Sequence, residues 1–187
     1  MIDRRKLLTA AAVTVPMVAA FSQVAIAGPM PDAPAPDLSR VRTAGDFATL
    51  VMPRATLSVA ASQVAVKRLT RADAMEFAGF ELEEAIAVTS VLKDLGIPVP
   101  QLTAPAQSAL AGIQNAADGL DFDRAYMKAQ YVNHAFLAQL ATAYLAQSDA
   151  GTTDAGERHG RHLATVALFA FNEHTAITKR ISGELNA

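Results

Sequence analysis

The chain has 187 residues, 51% of them hydrophobic and 6% aromatic, with no cysteine and a formal net charge of −2. This composition excludes disulfides, thiolate metal sites, a cysteine nucleophile and a lipidated cysteine. It also leaves no basic excess with which to hold nucleic acid or an anionic membrane surface.

Residues 1–27 read as an export signal. Asp3, Arg4, Arg5 and Lys6 begin it, an alanine-rich apolar run follows over 7–20, and Ala25-Ile26-Ala27 supplies a small-x-small cleavage pattern before Gly28. The Arg4-Arg5 pair ahead of Lys6-Leu7-Leu8 resembles a twin-arginine signal, and the apolar run is only moderately hydrophobic because Thr9, Thr14 and Pro16 interrupt it. Cleavage there predicts a soluble periplasmic protein with no integral membrane segment, since no second apolar run of spanning length follows. The segment "GPMPDAPAPDLSR" opens a proline-rich leader, assigned to 28–43, and a helical domain occupies 44–187.

The helical domain is alanine-rich, with little β-branched alternation and no Asn-Gly hairpin signal. A first helix is expected over 44–69, with Pro53 either kinking it or marking its true first turn. Thr70 and Asp73 suggest a capping box for a second helix reaching Leu95, with Gly96 as its stop and Pro98 and Pro100 beyond. A short helix follows between Thr103 and Ala117. Asp121 is then expected to cap a helix over 122–147, and a last one runs over 154–182 until Gly183. Tight connections within two helical pairs and a long crossover between them predict an all-α, ferritin-like four-helix bundle with a short extra helix in the crossover.

Several polar residues fall on apolar faces. Glu81 interrupts the stripe of Ala78, Ala85, Val88 and Leu92. His174 sits amid Leu163, Ala167, Ala170, Phe171, Ile177 and Ile181. His134 flanks an arc centred near Phe122, Ala129, Phe136 and Leu140, on which Asn133 is the more central polar residue. Carboxylates and imidazoles pointed into a bundle core are how such folds hold iron, manganese, zinc or copper. Glu81, Glu84, His134 and His174 form the candidate metal set. The plainer alternative makes His174 a neutral core histidine and pairs Glu81 with Arg54 or with a histidine. "HGRH" at 159–162 reads as a solvated polar turn, because Arg158 and Arg161 oppose a cation. Ser58 and Ser62 have no histidine–acid partners in sequence, and neither a G-x-S-x-G elbow nor a glycine-rich phosphate loop occurs.

"FDRAYMKAQYVNH" at 122–134, "GIPVP" at 96–100 and "NEHTAI" at 172–177 together resemble the exported bacterial ferritin-like family of unknown function, whose members are often labelled outer-membrane proteins. The resemblance covers most of 46–182 and implies the bundle fold and an envelope location. It also implies a glutamate on the first helix and an acid–histidine pair on the second. Those positions fall here on Ser58 and on Glu84-Ala85, and Phe169 replaces a proline before the last histidine. His134, His174 and an acid at Glu84 are retained, while Glu81 stands one turn before the absent histidine.

Two functions follow from these readings. One is a metal-binding bundle, redox or stress-linked, using Glu81, Glu84, His134 and His174. The other is a metal-free structural or interaction module of the periplasm, whose inward polar groups fix helix register. Neither assigns a partner, and association of the chain with copies of itself stays open.

Overall fold

Thr43 opens the helical region with a reciprocal cap. Its hydroxyl accepts the Asp46 amide at 3.0 Å, and the Asp46 carboxylate accepts the Thr43 amide at 3.1 Å. The computed structural model in which this is seen describes residues 37–187, so the signal and residues 28–36 of the leader lie outside the described residues. Five α-helices follow: α1 (Ala44–Arg68), α2 (Ala72–Asp94), α3 (Ala104–Gln114), α4 (Leu120–Gln147) and α5 (Ala155–Leu185). Ahead of them a 3₁₀ turn, Leu38–Arg40, is held by Gln147, whose amide donates to the Leu38 carbonyl at 2.8 Å, and Val41 is buried.

The expected architecture is present: two helical hairpins, α1–α2 and α4–α5, joined by a crossover that contains α3. The boundaries differ in instructive ways. Pro53 lies well inside α1, which continues through it. The Thr70–Asp73 capping box does not form. Arg71 is the N-cap of α2 and makes no side-chain cap, while Thr70 turns to Asp123 on α4 and Asp73 pairs with Arg71 and Arg180. Gly96, at φ 80°, closes α2 as expected, with Ile97 N donating to Leu92 O and Gly96 N to Lys93 O, the paired bonds of a Schellman motif. Gly119, at φ 85°, rather than Asp121, is the N-cap of α4, and α5 runs through Gly183 to Leu185.

The core divides into two apolar clusters. One gathers Phe47, Val51 and Met52 of α1 with Leu92 of α2, Leu140 and Tyr144 of α4, and Ala164 and Phe171 of α5. The other joins Ala65 of α1 and Phe77 of α2 to Phe122, Tyr126 and Met127 of α4 and Ile181 of α5. Early α1 thus meets late α2 and late α4, so α1 runs antiparallel to both. Between the clusters lies a layer of buried polar side chains: Ser58, Glu81, Gln130, Asn133 and His134. Among the described residues no helix is long and apolar enough to cross a membrane.

Candidate metal centre between the two cores

Each donor reaches the centre because it occupies a core position of its helix. On α2 the inward line runs Ala74, Phe77, Ala78, Glu81, Ala85 and Leu92, so Glu81 is 3% exposed. On α4 the line runs Phe122, Tyr126, Gln130, Asn133, His134, Leu137 and Leu140. This face is rotated from the expected arc, with Ala129 and Phe136 only half-buried, and it brings His134 to the middle at 2% exposure. On α5, Phe171, Thr178 and Ile181 flank His174, whereas Leu163, expected inward, is exposed.

Three atoms from three helices converge. His134 Nε2 lies 3.1 Å from Glu81 Oε2, His174 Nδ1 lies 3.2 Å from the same oxygen, and the two nitrogens are 3.2 Å apart. The triangle is nearly equilateral. An ion about 2.0–2.1 Å from each atom, the usual distance for imidazole and carboxylate ligands, would see them at angles of about 100°, between tetrahedral and octahedral values. These residues therefore can chelate a metal ion.

The protons point the same way. His134 Nδ1 sits 2.9 Å from the Gln130 carbonyl, which only accepts, so Nδ1 carries the hydrogen and Nε2 turns a lone pair to the centre. His174 Nε2 faces Glu84 Oε2 at 3.5 Å, and a proton there leaves Nδ1 as the second inward lone pair. Glu81 Oε2 is buried and has no directed hydrogen bond, although two nitrogens stand within ion-pair distance. The His174 Nδ1–His134 Nε2 contact can also be a hydrogen bond when one of the two nitrogens carries the proton.

Burial pushes the Glu81 carboxyl up; in the ion-free cluster an inward imidazole proton on His134 or His174, in place of a lone pair, outweighs it and lowers the pKa to about 2. Burial opposes a charge on His174, yet Glu81 and Glu84 together raise its pKa. Glu84 itself is raised, chiefly by burial and with the Glu81 charge adding, against the pull of His174. Phe77 packs edge-on to both imidazoles, with ring centroids 6.1 Å from His134 and 5.3 Å from His174.

Of the four sequence candidates, Glu81, His134 and His174 meet at one point. Glu84 lies outside the triangle, against the outer nitrogen of His174. Glu81 pairs with the histidines and not with Arg54, which stacks over Phe136 at 4.2 Å and donates to Asn133. His159 and His162 are exposed.

Sequence reading missed the scaffold beside the centre. Asn133 donates to Ser58 Oγ at 3.0 Å, Ser58 donates to Gln130 Oε1 at 3.2 Å, and Ser62 bonds Tyr126 Oη at 2.8 Å. Ser58 and Ser62 at i, i+4 on α1, opposite Gln130 and Asn133 on α4, were the available signal. Ser58 and Ala85, where the resemblance implies a glutamate and a histidine, both line a small pocket next to Glu81 and His134.

No curated protein and no solved structure matches the chain. Residues 27–155 match the model of a domain of unknown function, DUF4142, a span that takes in α1–α4 and stops at the first residue of α5, so that Glu81 and His134 lie within it and His174 beyond it. With well over half of its length matched, the chain belongs to the DUF4142 family.

Proposed function

We propose that this protein is an exported, ferritin-like bundle that binds one transition-metal ion through Glu81, His134 and His174. The observation that carries the reading is the convergence of three donor atoms, 3.1–3.2 Å apart, on a buried carboxylate oxygen that no N–H satisfies. The Gln130 carbonyl and Glu84 hold the outer nitrogens of the two imidazoles, the orienting role that carbonyls and carboxylates play behind ligating histidines. Two imidazoles and one carboxylate suit iron, manganese, zinc or copper, and such an ion supplies Lewis-acid or one-electron chemistry. The twin-arginine-like segment at 1–27 supports a periplasmic address, reached folded and with the site already filled.

The test is elemental analysis of untagged protein recovered from its native compartment, beside a His134→Ala/His174→Ala variant. About one metal per chain is expected in the wild type and none in the variant. A folded wild type that neither carries a metal nor takes one up overturns the reading.

One observation favours the metal-free alternative. Glu81 stands within ion-pair distance of both histidines, so the cluster can close on itself when one imidazole is protonated. In that case the polar layer is a register device between the two apolar clusters.

A further inference from the structure

The three donors approach their common point from α2, α4 and α5, and α1 contributes none. On the α1 side lies a narrow, half-open pocket with about 20 Å³ of room, lined by Ala55, Ser58, Glu84, Ala85, Val88 and Leu137 together with Glu81 and His134. The space exists because three of these positions are small: Ala55 and Ser58 on one helix face Ala85 on the other. It is room for one or two waters. Its walls are mainly apolar, with Ser58 and Glu84 the polar groups besides the centre's own Glu81 and His134.

We propose that this cavity is the ligand pocket of the centre, and that it admits to the open side of a metal held by Glu81, His134 and His174 only molecules of one or two non-hydrogen atoms, of the size of water, nitric oxide or dioxygen. The inference rests on the metal reading above and deepens it by setting the class of ligand. Three protein donors with an uncovered fourth direction are the arrangement of reactive centres, whereas structural sites are closed by protein on all sides. The cavity has no volume for a chelating organic acid, an amino acid or a sugar, which separates this site from centres that activate an organic co-substrate. Ala85 is the gatekeeping position: it lines the pocket one helical turn from Glu81, so a larger side chain there projects into the space.

The probe is nitric oxide, added without oxygen to ferrous-loaded full-length mature protein and read by electron paramagnetic resonance. The wild type is expected to give the half-integer-spin iron–nitrosyl signal in proportion to bound iron. Ala85→Leu should keep its iron but bind nitric oxide at least about tenfold more weakly. Ala55→Val provides an independent plug should Ala85→Leu not fold, and Ala85→Gly should behave as wild type. 2-Oxoglutarate, a bidentate acid, should leave the ferrous spectrum unchanged. Iron-loaded wild type without a nitrosyl signal, plugged variants that bind nitric oxide normally, or a spectrum perturbed by 2-oxoglutarate would each overturn the pocket while leaving the metal site standing. Failure of the wild type to hold iron, manganese, zinc or copper overturns both.

Discussion

At the scale of single residues, the question is what Glu81 does in the absence of an ion. A carboxylate at 3% exposure carries a desolvation cost that two imidazoles offset electrostatically but do not satisfy with directed hydrogen bonds. Removing it should therefore change metal-dependent stability more than intrinsic stability. In urea unfolding, a metal at about 100 times its Kd adds about 2.7 kcal/mol to a protein that binds it only when folded. We expect that increment in the wild type and less than about 1 kcal/mol of it in Glu81→Ala. Equal increments in the two proteins would exclude Glu81 as a ligand. The residue was conspicuous in sequence, because a charge on the apolar side of an amphipathic helix violates its period. Its partners were less so. His134 could be placed only on the flank of its helix, since the apolar arc drawn through Ala129 and Phe136 ignores that Gln130 also faces inward. Side chains buried by a polar network leave no trace in a hydrophobic pattern.

At the scale of helices, packing reverses ordinary propensity at one glycine. A helical glycine replaced by alanine usually stabilises by about 0.5–1 kcal/mol. At Gly160, however, an added Cβ would lie 2.4 Å from Ala44 Cβ and 3.0 Å from Tyr144 Oη, where α5 crosses the start of α1. Gly160→Ala should destabilise by about 1–3 kcal/mol. Gly79→Ala on α2, where nothing lies within 4 Å, should stabilise by the usual amount. Thermal unfolding of the two variants reads the opposite signs, and a stabilised Gly160→Ala would contradict the close approach. The helices themselves were legible from apolar spacing and from stops such as Gly96. Their ends were less so, because Thr70 and Asp73 serve tertiary partners and not the cap that their spacing suggests. Gly183 likewise fails to stop α5, since Leu185 beyond it is drawn into the core.

At the scale of the molecule, the two hairpins are joined by a few polar contacts as well as by the two cores. Asp123, fully buried at the start of α4, accepts from Thr70 N, Thr70 Oγ and Arg71 N at 3.1, 2.8 and 3.0 Å. It pins the α1–α2 turn to the second hairpin, across the long crossover. Asp123→Ala leaves those donors without a charged acceptor and should cost about 3 kcal/mol, lowering Tm by roughly 6–12 °C for a chain of this size. A shift within experimental error would show that solvent replaces the carboxylate. The crossover's length announced two hairpins in the sequence, but nothing local to Asp123 announced the contact, since its partners lie more than fifty residues away.

The three-helix origin of the centre also sets an order in time. Glu81 and His134 leave the ribosome before His174, which is carried by α5. A growing chain therefore displays a two-donor pair, a weak and unselective chelator, until α5 has been made and has docked on α4. On the metal reading proposed above, capture of an ion at the three-donor point would mark the moment at which the second hairpin closes. A chain stopped before α5 lacks both the last donor and the Ala164, Phe171, Ile181 and Leu185 side chains of the two cores, so on that reading incomplete synthesis and failure to load metal would be the same observable event.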